Sequence, residues 1–204
     1  MSEKTRIAVL ASGRGSNFVS IADAIGRGEI NAEIVQLICN KPDAGAIDAA
    51  RARRIKVNVL ESKGVPAAEY DEKLVQALQS CNPDLVVLAG YMKIVGKAII
   101  DAFPMKIINI HPALLPSFPG LEAQKQAFEY GVKVAGCTVH FIDEGVDTGP
   151  IILQKAIPVE DYDTDESLSK RILTEEHRLY PQAVNLFSEG RLKVEGRRVI
   201  IDRS

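Results

Sequence analysis

The run DLVVLAG, residues 84–90, decides how the rest of the chain is read. Its apolar core, Leu85 to Leu88, shows no alternation with polar residues, so it reads as a strand buried on both faces. Strands of that kind belong to parallel sheets, whose crossover helices cover both sides. Working backward, PAAEYDEKLVQALQS (66–80) sets Tyr70, Leu74, Ala77 and Leu78 on one side of a helix. Before it stand KVNVLE (56–61), AGAIDAARARR (44–54) and EIVQLICN (33–40), read as strand, helix and strand. SNFVSIADAIGRG is a helix with Phe18, Ile21, Ala22 and Ile25 on one face, and RIAVLA (6–11) is the first strand. Working forward, VGKAIIDAF holds a short helix and KIINIH (106–111) a strand. The alternation predicts a doubly wound, mostly parallel α/β sheet with helices on both faces.

After residue 120 the pattern changes. EAQKQAFEYG reads as a short helix, and AGCTVHFID (135–143) and PIILQKAIPV (150–159) as neighbouring, antiparallel strands. Residues 163–190 form one long helix, capped by Asp163 or Thr164 and stopped by Gly190. RLKVEGRRVIID closes as a hairpin about Glu195 and Gly196. No repeat, low-complexity tract or linker interrupts the chain, so a single domain over 1–204 is expected.

The composition is that of a globular protein, with 204 residues, 46% of them hydrophobic. A net charge of −2 argues against nucleic acid or an anionic membrane as main partner. No apolar run is long enough to span a bilayer, and the N-terminus lacks the pattern of a signal peptide, so a cytoplasmic protein is expected. Cys39, Cys81 and Cys137 are far apart without metal-ligand spacing and read as small buried hydrophobes.

Ligands of doubly wound sheets bind beyond the C-terminal strand ends, so the segments after each strand matter most. ASGRGSN (11–17) follows the first. Its glycines permit a tight turn into a helix N-terminus, which favours a phosphate; a plain glycine turn capped by Ser16 fits equally. It is neither a complete dinucleotide fingerprint nor a P-loop. INIHPALLPSFPG (108–120) follows the fifth. Asn109 and His111 share one strand face, where an amide and an imidazole offer hydrogen bonds to a developing oxyanion. Leu114, Leu115 and Phe118, in the proline-stiffened loop beyond, either line a pocket or pack on the core. HFIDEGVDTGPI (140–151) brings His140, Asp143, Glu144 and Asp147 close in sequence. Histidine with carboxylate points to acid–base work, while Asp143 and Glu144 fit an acidic solvated turn. His140, Asp143 and Asp147 can be drawn as metal ligands, but no second histidine stands at tight spacing, and no metal is expected. His177 reads as structural or substrate-facing. Ser12, Ser16 and Ser117 lack a nucleophile elbow.

Three blocks, SGRGSN, NIHPALLPSFPG and HFIDEGVDTGPIILQ, together with AGYMKIV (89–95) and EEHRLYP (175–181), resemble the folate-dependent phosphoribosylglycinamide formyltransferase family essentially end to end. The resemblance implies a Rossmann-like formyltransferase fold over 1–204. It implies an enzyme that passes the formyl group of 10-formyltetrahydrofolate, a co-substrate, directly to the amine of 5-phosphoribosylglycinamide in purine biosynthesis. Carried over by position, the catalytic residues are Asn109, His111 and Asp147, with His140 in support. Gly15, Ser16, Asn17 and Glu176 hold the nucleotide substrate. Met92, Ile94, Val95, Asn109 and the backbone of the 140s loop meet the folate. The resemblance also implies a cis bond at Leu115–Pro116 and leaves open a homodimer.

The chain departs from the family at Ala67, where a basic residue is frequent, at Glu122, where histidine is common, and at Leu173, often polar. Two other formyl-folate enzymes compete. A methionyl-tRNA formyltransferase is expected to carry a further C-terminal domain and a basic surface. A formyltetrahydrofolate hydrolase usually carries an extra N-terminal domain. A non-enzymatic nucleotide-binding module on the same fold is a third reading.

Overall fold

The computed structural model describes residues 3–203. The chain forms two compact units, Met1–Ile108 and Asn109–Ser204. The fold is α/β and mostly parallel, as the continuous apolar strands require.

In the first unit, β1 (Thr5–Ala11), β2 (Ala32–Cys39), β3 (Val57–Val59) and β4 (Leu85–Leu88) lie in the order β3-β2-β1-β4. The pairs β1–β2, β1–β4 and β2–β3 are all parallel. Ile7 to Ala11 and Leu85 to Val87 are fully buried, which explains their unbroken apolar sequence. The chain winds outward from β1 in one direction and returns to β4 on its other side. Winding reverses there, so right-handed crossovers put helices on both faces and leave a crevice at the C-terminal ends of β1 and β4.

Helix α1 (Ser16–Gly26) buries Asn17, Phe18, Ile21 and Ala24. Ala24 replaces the expected Ala22 on the inner face, while Ala22 and Ile25 are only half-buried at its edges. Helix α2 (Gly45–Ala52) follows β2. Helix α3 (Ala67–Cys81) buries Tyr70, Leu74, Leu78 and Cys81, one residue per turn. Its last carbonyls are met by Arg6, whose Nε donates to Asn82 O at 3.0 Å and Nη2 to Cys81 O at 2.8 Å. A cation there also complements the helix dipole. Helix α4 (Lys97–Ala102) is short and leads to β5 (Ile107–His111), whose last three residues begin the second unit.

In the second unit the strand order is β5-β6-β7-β9-β8, with β6 (Val134–Phe141), β7 (Ile151–Pro158), β8 (Leu192–Glu195) and β9 (Arg198–Ile201). β6 and β7 are antiparallel, as their short connection requires, and so is the terminal β8–β9 hairpin. Helix α5 (Ala123–Tyr130) precedes β6. Helix α6 (Asp165–Ser188) is capped by Thr164: its hydroxyl accepts from Ser167 N at 3.2 Å, and Ser167 Oγ accepts from Thr164 N at 2.9 Å. Of the two expected caps, Thr164 fills the role, while Asp163 accepts the Ser167 hydroxyl at 2.7 Å. Gly190, at φ 69°, follows the helix end. The three cysteines are free and buried, as expected. Among the described residues no helix is long and apolar enough to cross a membrane.

Candidate active site

In the second unit, the ends of β5 and β6 and the β6–β7 loop bring four polar side chains together. Asp147 is the hub. Its Oδ2 lies 3.3 Å from His111 Nδ1 and accepts the Gly120 N–H at 2.8 Å, and its Oδ1 lies 3.5 Å from His140 Nε2. Asn109 Nδ2 lies 3.3 Å from that same His140 nitrogen.

The partners of each ring fix its tautomer. His140 Nδ1 stands 2.8 Å from the Phe141 carbonyl, which can only accept, so Nδ1 carries the proton. Nε2 lies between Asn109 and Asp147 Oδ1, and its contact with the Asn109 amide orients the carboxamide and leaves a second N–H available. His111 has acceptors at both nitrogens: the Phe118 carbonyl at Nε2 and the Asp147 carboxylate at Nδ1. Only the imidazolium satisfies both. Burial opposes that charge and is the largest influence, so the His111 pKa lies below its ordinary value; the Phe118 carbonyl and Asp147 pull the other way.

Asp147 has the opposite balance. Burial alone pushes its carboxyl up, but the hydrogen bonds from His140 and Gly120 and the charges of both histidines outweigh it. Its pKa lies below the usual carboxylate range, so it is ionised at neutral pH. Its backbone is left-handed, at φ 55°, a conformation that costs a non-glycine residue about 1–3 kcal/mol.

The β6–β7 loop is tied to itself. Asp143 Oδ1 accepts from the Thr148 hydroxyl at 2.6 Å and from Gly145 N at 3.1 Å. Asp143 is therefore a loop anchor within the acidic turn expected of it. Arg197, in the β8–β9 turn, donates to the Thr148 carbonyl at 2.8 Å. Gly149 has no room for a side chain, because a Cβ there would stand 1.8 Å from the Phe141 carbonyl oxygen.

The proline loop packs on the core and lines a small cavity. Leu115 is buried. Leu114 and Phe118 line a small cavity of about 110 Å³ with Ala127 and Val134. The Phe118 ring packs edge-on to Tyr130, with centroids 5.7 Å apart. Leu115–Pro116 is cis, as the resemblance implied. The loop hangs on Thr138, whose hydroxyl donates to Ala113 O at 2.7 Å and accepts from Leu115 N at 3.1 Å and Gln154 Nε2 at 3.0 Å. Glu176 is buried on α6 of the same unit.

In the first unit, Gly15 is the N-cap of α1, at φ 77°, and no side chain caps the helix. Ser16, a candidate cap from sequence, is instead the first helical residue. The turn is held by the N–H of Ala46, which donates to Gly13 O at 3.1 Å. Beside it, Ser12 ties β1 to the segment after β4: its N–H donates to Gly90 O at 3.2 Å and its hydroxyl accepts from Met92 N at 2.8 Å. Val95 is buried there, but Met92 and Ile94 are 66% and 78% exposed, leaving two apolar side chains open to solvent.

Among the described residues no group of three or more His, Cys, Asp or Glu side chains is arranged to hold a metal ion. Sequence reasoning missed two backbone partners, the Phe118 carbonyl and the Gly120 N–H. Only Gly120, at φ 83°, carried a hint, as a glycine closing a proline loop.

The formyl transferase family model matches residues 5–184. The chain is 44% identical over 180 residues to the phosphoribosylglycinamide formyltransferase of Bacillus subtilis (strain 168), covering 88% of this chain and 92% of that protein. It is 42% identical over 193 residues to the trifunctional purine biosynthetic protein adenosine-3 of Drosophila pseudoobscura pseudoobscura, covering 93% of this chain but only 14% of that protein. The solved structure of glycinamide ribonucleotide transformylase 1 from Symbiobacterium toebii superposes with a TM-score of 0.96 at 50% identity, covering 98% of this chain and 95% of that one.

Proposed function

The chain belongs to the formyl transferase family, and from that premise we propose that it transfers the formyl group of 10-formyltetrahydrofolate to the amine of 5-phosphoribosylglycinamide, a step of purine biosynthesis. The observation that carries the reading is the convergence of His111, His140 and Gly120 on the ionised Asp147, with Asn109 held by His140.

The amine lone pair attacks the formyl carbon, and the carbonyl electrons move to oxygen. The second N–H of Asn109 meets that oxyanion. His111 meets it through Nε2 once the oxyanion takes the place of the Phe118 carbonyl. Negative charge on the substrate then favours the imidazolium, which burial otherwise opposes, so His111 holds the proton lost by the amine. Asp147 accepts from Nδ1 and keeps the ring in place. When the bond from carbon to the folate nitrogen breaks, that nitrogen keeps the electron pair and receives the proton. No covalent enzyme intermediate is required.

In the first unit, the uncapped N-terminus of α1 supports Gly15, Ser16 and Asn17 as phosphate ligands. The exposed Met92 and Ile94 support a folate contact beside Val95. In the second unit, Glu176 holds the ribose or glycinamide portion. The protein acts in the cytoplasm, and residues 1–204 serve as a single formyltransferase domain. A single calorimetric unfolding transition supports that last point, and two separable ones overturn it. Sedimentation equilibrium tests whether the chain forms a homodimer.

The deciding experiment follows folate deformylation spectroscopically, with and without phosphoribosylglycinamide. Turnover that requires the amine supports the transferase. Turnover without it favours a formyltetrahydrofolate hydrolase, and no turnover in either case overturns both.

A further inference from the structure

Asp147 has the catalytic carboxylate and also an unfavourable backbone conformation, so something outside its own side chain must keep it there. The loop around it supplies two groups with no other evident purpose. Asp143 stands two residues beyond the end of β6, and Thr148 follows Asp147 directly. Their side chains meet at 2.6 Å, and the same Asp143 oxygen takes the Gly145 N–H at 3.1 Å. Thr148 Oγ1 fills the space over Gly145, where a Cβ would stand only 2.0 Å away. The ring closed by this contact contains Asp147 and fixes both ends of the segment that must turn left-handed. A contact as short as 2.6 Å suits a hydrogen bond that holds backbone strain.

We propose that the Asp143–Thr148 hydrogen bond is a clasp that holds Asp147 in its left-handed conformation, making Asp143 and Thr148 positioning residues for the carboxylate between His111 and His140. The inference rests on the proposed formyl transfer for its kinetic consequence, but its geometric consequence is independent of turnover. Neither residue touches the reacting atoms. Both act through the placement of Asp147, where a displacement of about 1 Å is enough to cost on the order of 100-fold.

The test uses Thr148→Val, Thr148→Ser, Asp143→Ala and Asp143→Asn in the full chain. Valine keeps the shape of threonine and loses the hydroxyl; serine keeps the hydroxyl; asparagine keeps an acceptor oxygen. Thr148→Val and Asp143→Ala are expected to lower kcat by roughly 10- to 100-fold, while Thr148→Ser and Asp143→Asn recover most of it. The imidazole titration of His111, followed by NMR, is expected to move to lower pH in Thr148→Val, because a displaced Asp147 no longer favours the imidazolium. Wild-type kcat in Thr148→Val, failure of Thr148→Ser to recover activity, or an unmoved His111 titration each overturns the clasp. If wild-type protein transfers no formyl group, the functional reading fails, and the NMR titration still decides the clasp.

Discussion

The carbonyl oxygen of Phe118 lies 2.8 Å from Nε2 of His111, on the side of the ring opposite Asp147. The ring is therefore held between two acceptors and has one proton too few for both when neutral. A group in that condition gains most from whatever brings it a proton or replaces one acceptor. Formyl transfer does both, by releasing a proton from the amine and by creating an oxyanion. In the proposed mechanism the Phe118 carbonyl occupies the place that the substrate oxygen takes later.

Asp147→Asn is expected to lower turnover by at least ~100-fold, the usual scale of lost acid–base help. Asparagine tolerates the left-handed backbone at this position, so the variant removes the charge and spares the loop. Steady-state kinetics check it, with circular dichroism unchanged. A near-normal rate removes Asp147 from the mechanism.

Gly15→Ala is expected to weaken binding of the phosphorylated amine and spare the folate. A Cβ at Gly15 would stand 2.6 Å from Ala46 Cβ and 2.9 Å from its Cα, so the turn itself must move. KM for the amine should rise about 10-fold, equivalent to one lost charge-assisted hydrogen bond of about 1.5 kcal/mol. An unchanged KM would remove this turn from substrate binding.

Thr138→Val should destabilise the protein by about 2–3 kcal/mol, because it strips partners from Ala113 O, Leu115 N and Gln154 Nε2 in a buried site. Thr138→Ser should recover most of that. Urea denaturation of the two variants gives the comparison.

Acid should destabilise the fold from near neutrality downward. Burial, the largest cause in each, holds both His111 and His177 below the ordinary imidazole value. Such a histidine binds its proton more readily when unfolded. Its contribution to stability is present above about pH 6.5 and is lost as pH falls toward the folded value. Asp147, also depressed, adds the same sign lower down: its contribution is present above about pH 3.9 and lost as pH falls through the folded value. The urea midpoint should decline from about pH 7 to about pH 5, and less steeply in His177→Gln. Equal slopes in the two proteins would exclude His177 as a source.

Most of the fold was legible because burial writes itself into side-chain pattern. Leu85 to Leu88 had to be covered on both faces, and Tyr70, Leu74 and Leu78 had to share a helix side. The candidate catalytic side chains were legible because Asn109 and His111 alternate onto one face at a strand end. The clasp was less so: an aspartate near glycines looks the same whether it faces water or a threonine five residues on. The Phe118 carbonyl was invisible, since every residue has one and only the path of the loop aims it. At α1 the same limit applied, for a serine beside glycine looks like a cap whether or not the backbone uses it.

The match to the formyl transferase family model ends at residue 184, yet Arg197 reaches from beyond it to the carbonyl of Thr148. The boundary of the matched segment and the boundary of the loop's supports are thus not the same. Trimming the chain to that matched segment would leave the hub carboxylate and both histidines in the sequence and remove one of the ties on their loop. Grafting a tail from a relative would exchange that tie without altering any residue within 5–184, the segment that the family model matches.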